Sequence, residues 1–199
     1  MPGRRCAVAV ASSLAAVIVG AAGAAAGADA TAVDPTALPL GALTVAASAE
    51  ECAAWRRERS FSRSVEMHDA AAFASHLHPG AVFDAGDERA TRGRDAVVAG
   101  WSGLIEGKGT VLRWRPGVVD IGGEPAIAVS RGPYILQSMR DGKATFRVGF
   151  YQTVWLRDAA DRTWRVLFDG GASTPLLVDD RAAAEAWVRQ QAMSDCASP

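Results

Sequence analysis

The sequence is short of the residues that usually carry metal or nucleophile chemistry. Its 199 residues include three histidines and three cysteines, and no cysteines have the spacing of a zinc site. Neither H-E-x-x-H nor G-x-S-x-G occurs, so metalloprotease and serine-hydrolase functions have no support. The segment "GLIEGKG" (103–109) has too few residues between its glycines and no Ser or Thr after its lysine for a phosphate-binding loop. These absences predict a protein without a metal or a cofactor.

A strong charge of one sign is also missing. The chain has 21 Lys and Arg against 22 Asp and Glu, which gives a formal net charge of −1. The basic residues form no block along the sequence, so we expect no nucleic-acid partner.

The first segment has the pattern of an export signal. Arg4 and Arg5 precede a long Ala-, Val- and Leu-rich run, and small residues at 26–28 and 28–30 suit cleavage. We expect residues 1–28 to be a signal peptide, followed by an Ala-, Thr- and Pro-rich linker over 29–48. The mature protein would be periplasmic or secreted and detached from the membrane. The alternative is an uncleaved membrane anchor, although the run is weakly apolar.

Two cysteines follow the predicted leader, one near each end of the mature chain. Cys52 and Cys196 can oxidise in an exported protein. A bridge between them would close nearly the whole domain and stabilise it by ~4–5 kcal/mol in the chain-entropy model. The alternative is two free thiols, with Cys196 in a frayed tail.

Periodicity predicts four helices. The first runs from Glu50 to near His68, and the second follows Asp69 as N-cap and is stopped by Pro79-Gly80. The third covers 94–107, and the last begins after Asp179 or Asp180.

Alternating runs predict strands between and after these helices. A short strand over 81–86 precedes four longer runs at 110–122, 125–138, 143–158 and 163–173. Asp141-Gly142 between two of them is a strong hairpin signal. Helices followed by an antiparallel meander indicate an α+β fold.

Several segments resemble the nuclear-transport-factor-2-like (NTF2-like) superfamily, which includes ketosteroid-isomerase-like and SnoaL-like proteins. The resemblance rests on "HDAAAFASHLHPGAVF", "RGRDAVVAGW", "RGPY", "GFYQTVWLRD" and "TWRVLFDGG". It implies a cone-shaped barrel over 49–175, in which a bent antiparallel sheet wraps around about three N-terminal helices. A C-terminal helix and tail would occupy 176–199. It also implies an internal pocket and a homodimer through the outer sheet face.

The resemblance places a catalytic base at Asp84, because "GAVFDA" is similar to the segment that carries the family's aspartate base. The family's other two isomerase roles fall at Phe61 and Thr153, where a tyrosine and an acid are missing. Steroid isomerisation is therefore disfavoured, since donors to the developing oxyanion usually supply the larger effect. The apolar pair before Asp84 predicts partial desolvation and a raised pKa. The alternative is an aspartate that caps a turn before Gly86.

Other polar groups have plainer interpretations. His76 and His78 lie near a helix end, where a cationic histidine is favourable, and a metal there would need a third ligand such as Asp84 or Asp87. His68 stands beside an expected N-cap. Asp169 begins Asp-Gly-Gly, which indicates a turn more than a carboxylate at a pocket.

A set of mainly aromatic residues is predicted to line the pocket. Alternation places Tyr151, Thr153 and Trp155 on one face of a strand, directed into the cone by the resemblance. The full predicted lining is Phe61, Trp101, Trp114, Tyr134, Tyr151, Thr153 and Trp155. The alternative is that these side chains simply fill the core.

The sequence thus predicts an exported domain that binds a small apolar molecule in an internal pocket. One alternative is a cofactor-free isomerase, dehydratase or hydrolase with Asp84 as general base. The other is a dimerisation module without a ligand.

Overall fold

The computed structural model describes residues 44–197. The predicted signal peptide and most of the predicted linker lie outside this range. The helices are α1 (Ala49–Glu66), α2 (Ala70–His76), α3 (Arg94–Ile105) and α4 (Arg181–Arg189), with a final 3-10 turn at Asp195–Ala197. The strands are β1 (Thr44–Val45), β2 (Leu77–Phe83), β3 (Thr91–Arg92), β4 (Thr110–Trp114), β5 (Val118–Gly122), β6 (Ile127–Arg140), β7 (Lys143–Arg157), β8 (Trp164–Gly171), β9 (Leu176–Val178) and β10 (Met193–Ser194).

The helices begin at side chains that satisfy free backbone amides. Ser48 and Glu51 form a reciprocal capping box at α1. The Asp69 carboxylate accepts from the amide of Ala72 at 2.8 Å, and Asp180 caps α4 in the same way. The predicted caps at α2 and α4 are therefore confirmed. None of the helices in residues 44–197 is long and apolar enough to span a membrane.

The main sheet has eight strands in the order β3-β2-β8-β7-β6-β4, with β5 beside β6 and β9 beside β7. The sheet is mixed, because β2 and β8 run parallel. The predicted antiparallel sheet therefore contains one parallel pair. A long excursion through α3 and the meander separates the two strands, and such a crossover allows parallel pairing.

The Asp141-Gly142 hairpin between β6 and β7 is confirmed. Arg140 pairs with Lys143, which leaves a two-residue turn. Both turn residues have positive φ, 51° and 74°, as a type I′ turn requires. This turn fixes the register of the longest strand pair, and therefore decides which side chains of β7 face the helices.

Two predicted boundaries were wrong. Residues 110–122 form two strands, and the chain bends at Gly117, where a Cβ would lie 2.7 Å from the carbonyl oxygen of Arg131. Pro79-Gly80 does not end a helix but lies inside β2. The pairing of β2 with β8 is irregular there, and such a bulge accommodates a proline that cannot donate to the ladder.

The two faces of β7 bury different groups. Tyr151, Thr153 and Trp155 are buried against the helices, as alternation predicted. On the outer face, Phe146 and Val148 are covered by α4, which contributes Ala184 and Trp187. The C-terminal helix therefore covers part of the outer sheet face.

The two ends of the described chain lie together. β1 pairs in parallel with β10, so two residues of the predicted linker form a strand. Next to this pair, Cys52 of α1 and Cys196 are joined by a disulfide with an S–S distance of 2.09 Å. The bridge ties the C-terminal turn to the first helix.

Candidate functional site

A cavity of about 190 Å³ lies between α3 and the inner face of the sheet, and we call it the cone cavity. Aromatic and aliphatic side chains form its walls, and two carboxyl groups border it. The lining consists of Trp101, Leu112, Trp114, Tyr134, Leu136 and Tyr151, with Asp84, Asp169, Gly170 and Gly171. Both carboxyl groups also border a groove on the outer side of the sheet.

Three residues that were predicted to line the pocket are not part of its wall. Phe61, Thr153 and Trp155 are fully buried. The ring of Phe61 is packed between other aromatic rings, with its centroid 5.1 Å from that of Phe73 and 5.8 Å from that of Trp155. These three side chains belong to the core beneath the cavity, which agrees with the core-filling alternative.

Asp84 follows the last residue of β2 and is exposed. Its backbone has a φ of 53°, and its amide donates to the carbonyl oxygen of Asp169 at 2.8 Å. The predicted desolvation by the preceding apolar pair was wrong, because those side chains are buried while the carboxylate lies on the surface. The backbone link still holds Asp84 beside Asp169 at the border of the cavity.

Asp169 is the carboxyl group with the more unusual environment. The hydroxyl of Thr153 donates to its Oδ2 at 2.6 Å. Burial raises the pKa of Asp169 to about 8, and the nearby carboxyl groups of Glu58 and Asp84 act in the same direction. Asp169 is therefore mainly protonated at neutral pH and is able to donate a hydrogen bond.

The sequence favoured a turn at Asp169 over a carboxylate at a pocket, and this preference was wrong because Asp169 lies inside β8, where the strand is irregular. Simple alternation from the buried Trp164 and Val166 would place Phe168 inside and Asp169 outside. The register between β7 and β8 shifts at this point, so Phe168 is exposed and Asp169 pairs with Thr153. Such a bulge reverses the facing of every residue that follows it.

Glu58 lies deeper in the cone and was also missed. Its two carboxyl oxygens accept hydrogen bonds from the indole nitrogens of Trp114 at 2.7 Å and Trp155 at 2.8 Å. Burial raises the pKa of this fully enclosed carboxyl group. The signal was present, because Glu58 shares the buried stripe of α1 with Ala54 and Phe61 at helical spacing.

Tyr151 lies between these two acids. Its hydroxyl is 3.3 Å from that of Ser130. Burial raises the pKa of Tyr151 well above 10, and the carboxyl groups of Glu58 and Asp169 add to the shift. The phenol therefore keeps its proton, and the cavity wall carries neutral polar groups among its aromatic rings.

Comparison with known proteins places this geometry in a structural context. No protein-family model and no curated protein matches the chain. A provisionally named scytalone dehydratase from Novosphingobium aromaticivorans superposes with a TM-score of 0.52 at 19% identity, over 67% of this chain and 91% of that one. The chain has the NTF2-like fold.

Two further structures show the same fold. A provisionally named aromatic ring hydroxylase from the same organism has a TM-score of 0.52 and 16% identity, over 66% of this chain and 96% of that one. A provisionally named calcium/calmodulin-dependent protein kinase II association domain from Xanthomonas campestris has a TM-score of 0.51 and 16% identity, over 67% and 93%. Their names differ in activity, so the NTF2-like fold assigns no reaction here.

The two positions at which the resemblance expected oxyanion donors have other surroundings. Phe61 has no donor, and Thr153 uses its hydroxyl on Asp169. Asp169 lies on β8, opposite Thr153 of β7. Asp84, Thr153 and Asp169 are brought together, whereas Phe61 lies among core rings.

The histidines take no part in this cluster. His76 is buried, its Nδ1 donates to the carbonyl oxygen of Ala72 at 2.6 Å, and its Nε2 accepts from Ser60 at 3.1 Å. Burial and the nearby Arg57 lower its pKa to about 4, so the expected cationic histidine at this helix end was wrong. In residues 44–197 the one cluster with metal-ligand spacing contains the two disulfide cysteines, whose sulfurs are already bonded.

Proposed function

We propose that the cone cavity binds a small, ring-shaped, largely apolar molecule that carries one hydrogen-bond-accepting oxygen. The observation that carries this proposal is the placement of the Asp169 carboxyl group, whose pKa is raised to about 8 by burial, at a cavity otherwise lined mainly by aromatic and aliphatic groups. A few placed polar groups in an apolar cavity are typical of small-molecule sites.

Cavity size narrows the ligand class. A volume of about 190 Å³ is close to the ~150 Å³ that accommodates benzene and below the ~300 Å³ at which drug-sized sites begin. The fitting ligand therefore has one ring and a short substituent. A steroid nucleus is too large for this cavity, which supports the sequence-based argument against steroid isomerisation.

The hydrogen bonds of Asp169 determine the polarity of the ligand. Thr153 donates to Oδ2, so the carboxylic proton resides on Oδ1. That O–H group is free to donate, and a carbonyl oxygen is its natural acceptor. Asp169 thus selects a ligand with an acceptor rather than a second donor.

Acetophenone and ethylbenzene test this proposal, since they share a ring and differ in the carbonyl group. We expect acetophenone to bind about tenfold more tightly, because one hydrogen bond to a neutral acid contributes about 1 kcal/mol or slightly more. Binding is measured from the indole N–H resonance of Trp101 at pH 6.5, identified by its loss in Trp101→Phe. Equal affinity for acetophenone and ethylbenzene would contradict the proposal.

A second candidate function is proton transfer, and the placement of Asp84 beside Asp169 favours it. In this reaction the Asp84 carboxylate removes a proton from carbon next to the ligand carbonyl, while Asp169 donates a hydrogen bond to the oxygen. The product is an enolate whose oxygen accepts that hydrogen bond, and the proton on Asp84 exchanges with solvent before a proton returns to the carbon and restores the ketone.

Deuterium exchange distinguishes this candidate from simple binding. We expect the methyl protons of acetophenone to exchange with D₂O faster with the protein than without it, and Asp84→Asn to abolish the acceleration. Asp87→Asn is the matched control, because Asp87 lies in the same exposed bend and is paired with Arg89. If Asp84→Asn does not change the exchange rate, proton transfer by Asp84 is excluded, and ligand binding remains as the proposed function.

We further propose that the protein is exported and carries the Cys52–Cys196 bridge in its mature form. The leader pattern and the paired sulfurs support this location. In a bacterial host, the mature chain is expected in the periplasmic or culture fraction, with both thiols blocked to alkylation until it is reduced. A cytoplasmic protein with two reactive thiols contradicts the proposal.

A homodimer is proposed only through the part of the outer sheet face that α4 leaves open. Phe168 is 40% exposed there and is the most suitable apolar contact. Light scattering is expected to give twice the mass of the mature chain, and Phe168→Glu should produce a monomer. A wild-type monomer excludes the homodimer.

A further inference from the structure

A second cavity, of about 330 Å³, lies at the edge of the sheet where β4 is flanked by α1 on one side and α4 on the other. We call it the edge cavity. Its lining consists of Trp55, Arg59 and Glu66 of α1, Arg113, Trp114, Arg115, Pro133 and Ile135 of the sheet region, and Val188 and Met193 near the C-terminus. Only Trp114 also lines the cone cavity.

The edge cavity carries excess positive charge. Its three guanidinium groups face one carboxylate, and that carboxylate, Glu66, is paired with Arg59 at 2.9 Å. Within residues 44–197, Arg113 and Arg115 have no carboxylate within 4.0 Å. Arg115 instead donates through Nη2 to the carbonyl oxygen of Val188 at 2.6 Å. Two guanidinium groups in the wall therefore have no ion-pair partner among the described residues.

Two donors in the same wall lack acceptors. The indole N–H of Trp55 and the Nε–H of Arg115 are buried and have no hydrogen-bond partner among the described residues. Leaving a buried donor unpaired costs about 1–3 kcal/mol. Such groups are rare in folded proteins, and a bound ion or ordered water is one reason for them.

The rest of the wall is apolar. Pro133, Ile135, Val188 and Met193 face the same space as the ring of Trp55. An inorganic ion would leave this apolar surface uncovered, whereas an amphipathic anion would fill it. Arginine is well suited to a carboxylate, since its planar donor fork matches two oxygens.

We propose that the edge cavity is a binding site for an organic carboxylate whose apolar body is one or two rings in size. The carboxylate lies against Arg113 and Arg115, and the body lies against the aliphatic wall. This site is independent of the cone cavity, which is bordered by acids and suits a neutral ligand.

The test compares 2-naphthoate with 2-naphthamide, which has nearly the same shape and no charge, on the mature disulfide-bonded protein. The indole N–H resonances of Trp55 and Trp101 report on the edge cavity and the cone cavity, and each is identified by its loss in the Trp→Phe variant. We expect 2-naphthoate to shift the Trp55 resonance and to bind at least about tenfold more tightly than the amide.

Arg113→Gln is the principal variant, because Arg113 is exposed and its replacement leaves the core intact. It should weaken 2-naphthoate binding about tenfold. Arg56→Gln is the matched control, since Arg56 is an exposed arginine of α1 outside the cavity, and it should change nothing. Equal binding of acid and amide, a shift at Trp101 instead of Trp55, unchanged affinity in Arg113→Gln, or no binding overturns the proposal.

Discussion

The deep part of the cone holds a fully buried acid, Glu58, whereas its border holds a half-buried acid, Asp169, and the two acids are bonded differently. Burial raises the pKa of both Glu58 and Asp169. Both oxygens of Glu58 accept from indole N–H groups, so nothing remains for a ligand. Asp169 has one side-chain donor, Thr153, at Oδ2, and the residue borders the cone cavity. A carboxyl group therefore stabilises the core at Glu58, whereas the carboxyl group of Asp169 is placed to contact a ligand.

Removing Glu58 should have the largest effect on stability. Glu58→Ala leaves two indole N–H groups without acceptors and creates a cavity, so we expect a loss of about 3–5 kcal/mol in the free energy of unfolding. Urea denaturation followed by circular dichroism measures it. Glu58→Gln is the matched control and should cost less, since its amide oxygen still accepts one bond. A loss under about 1 kcal/mol would show that Glu58 is not structural.

Stability should fall as the pH rises from about 6.5 to 8. The folded state keeps the proton of Asp169 up to a pKa of about 8, whereas the unfolded chain releases it near 3.8. The folded state therefore binds more protons in this window, and stability decreases by at most about 1.4 kcal/mol per pH unit. The raised pKa of Glu58 likewise makes stability decrease as the pH rises.

The pH range of 6.5 to 8 is chosen because His76 has the opposite effect on stability at lower pH. Its folded pKa of about 4 lies below the unfolded value of 6.5, so its contribution to stability is lost as the pH falls through that range. Urea unfolding at several pH values above 6.5 isolates the acids. Asp169→Asn should make stability depend less steeply on pH in this window, and an unchanged dependence would contradict the raised pKa of Asp169.

The affinity for acetophenone should depend on the carboxyl group of Asp169. Asp169→Ala removes the donor and should weaken acetophenone binding about tenfold at pH 6.5. Asp169→Asn keeps an N–H donor, so it should bind acetophenone without the loss of affinity that the wild type shows above pH 8. Titrations at pH 6.5 and 9 measure both effects. Parallel pH dependence in wild type and Asp169→Asn contradicts the role of this proton.

Asp84 should give the smallest effect on stability. The carboxylate is exposed, and Asp84→Asn retains a residue type that tolerates the left-handed backbone. We expect a change within about 0.5 kcal/mol in the free energy of unfolding. A much larger loss in urea denaturation would place Asp84 with Glu58 as a structural acid.

Local signals in the sequence were sufficient for most of the fold. Asp69 and Asp180 predicted helix starts because a short carboxylate satisfies the first free amides. Asp141-Gly142 predicted a turn because both residues accept positive φ. These features depend on neighbours in the chain, so a single sequence contains them.

The features that were missed depend on contacts between distant segments. Asp169 faces inward only because β8 shifts against β7, and no residue near it signals that shift. The parallel pairing of β2 and β8 likewise follows from the path of the whole chain. The burial of Glu58 could have been predicted from the sequence, since an acid within an apolar helical stripe is unusual. Its two indole partners lie 56 and 97 residues further along the sequence.

The bridge between Cys52 and Cys196 also has a mechanical consequence. It spans 144 positions, and the parallel pair β1–β10 lies beside it. A force applied to the two ends of the described chain can separate β1 from β10, but the sulfur–sulfur bond then carries it past the eight-stranded sheet. Pulled from its ends, the oxidised domain should therefore lengthen very little, whereas the reduced domain should unravel through the cone.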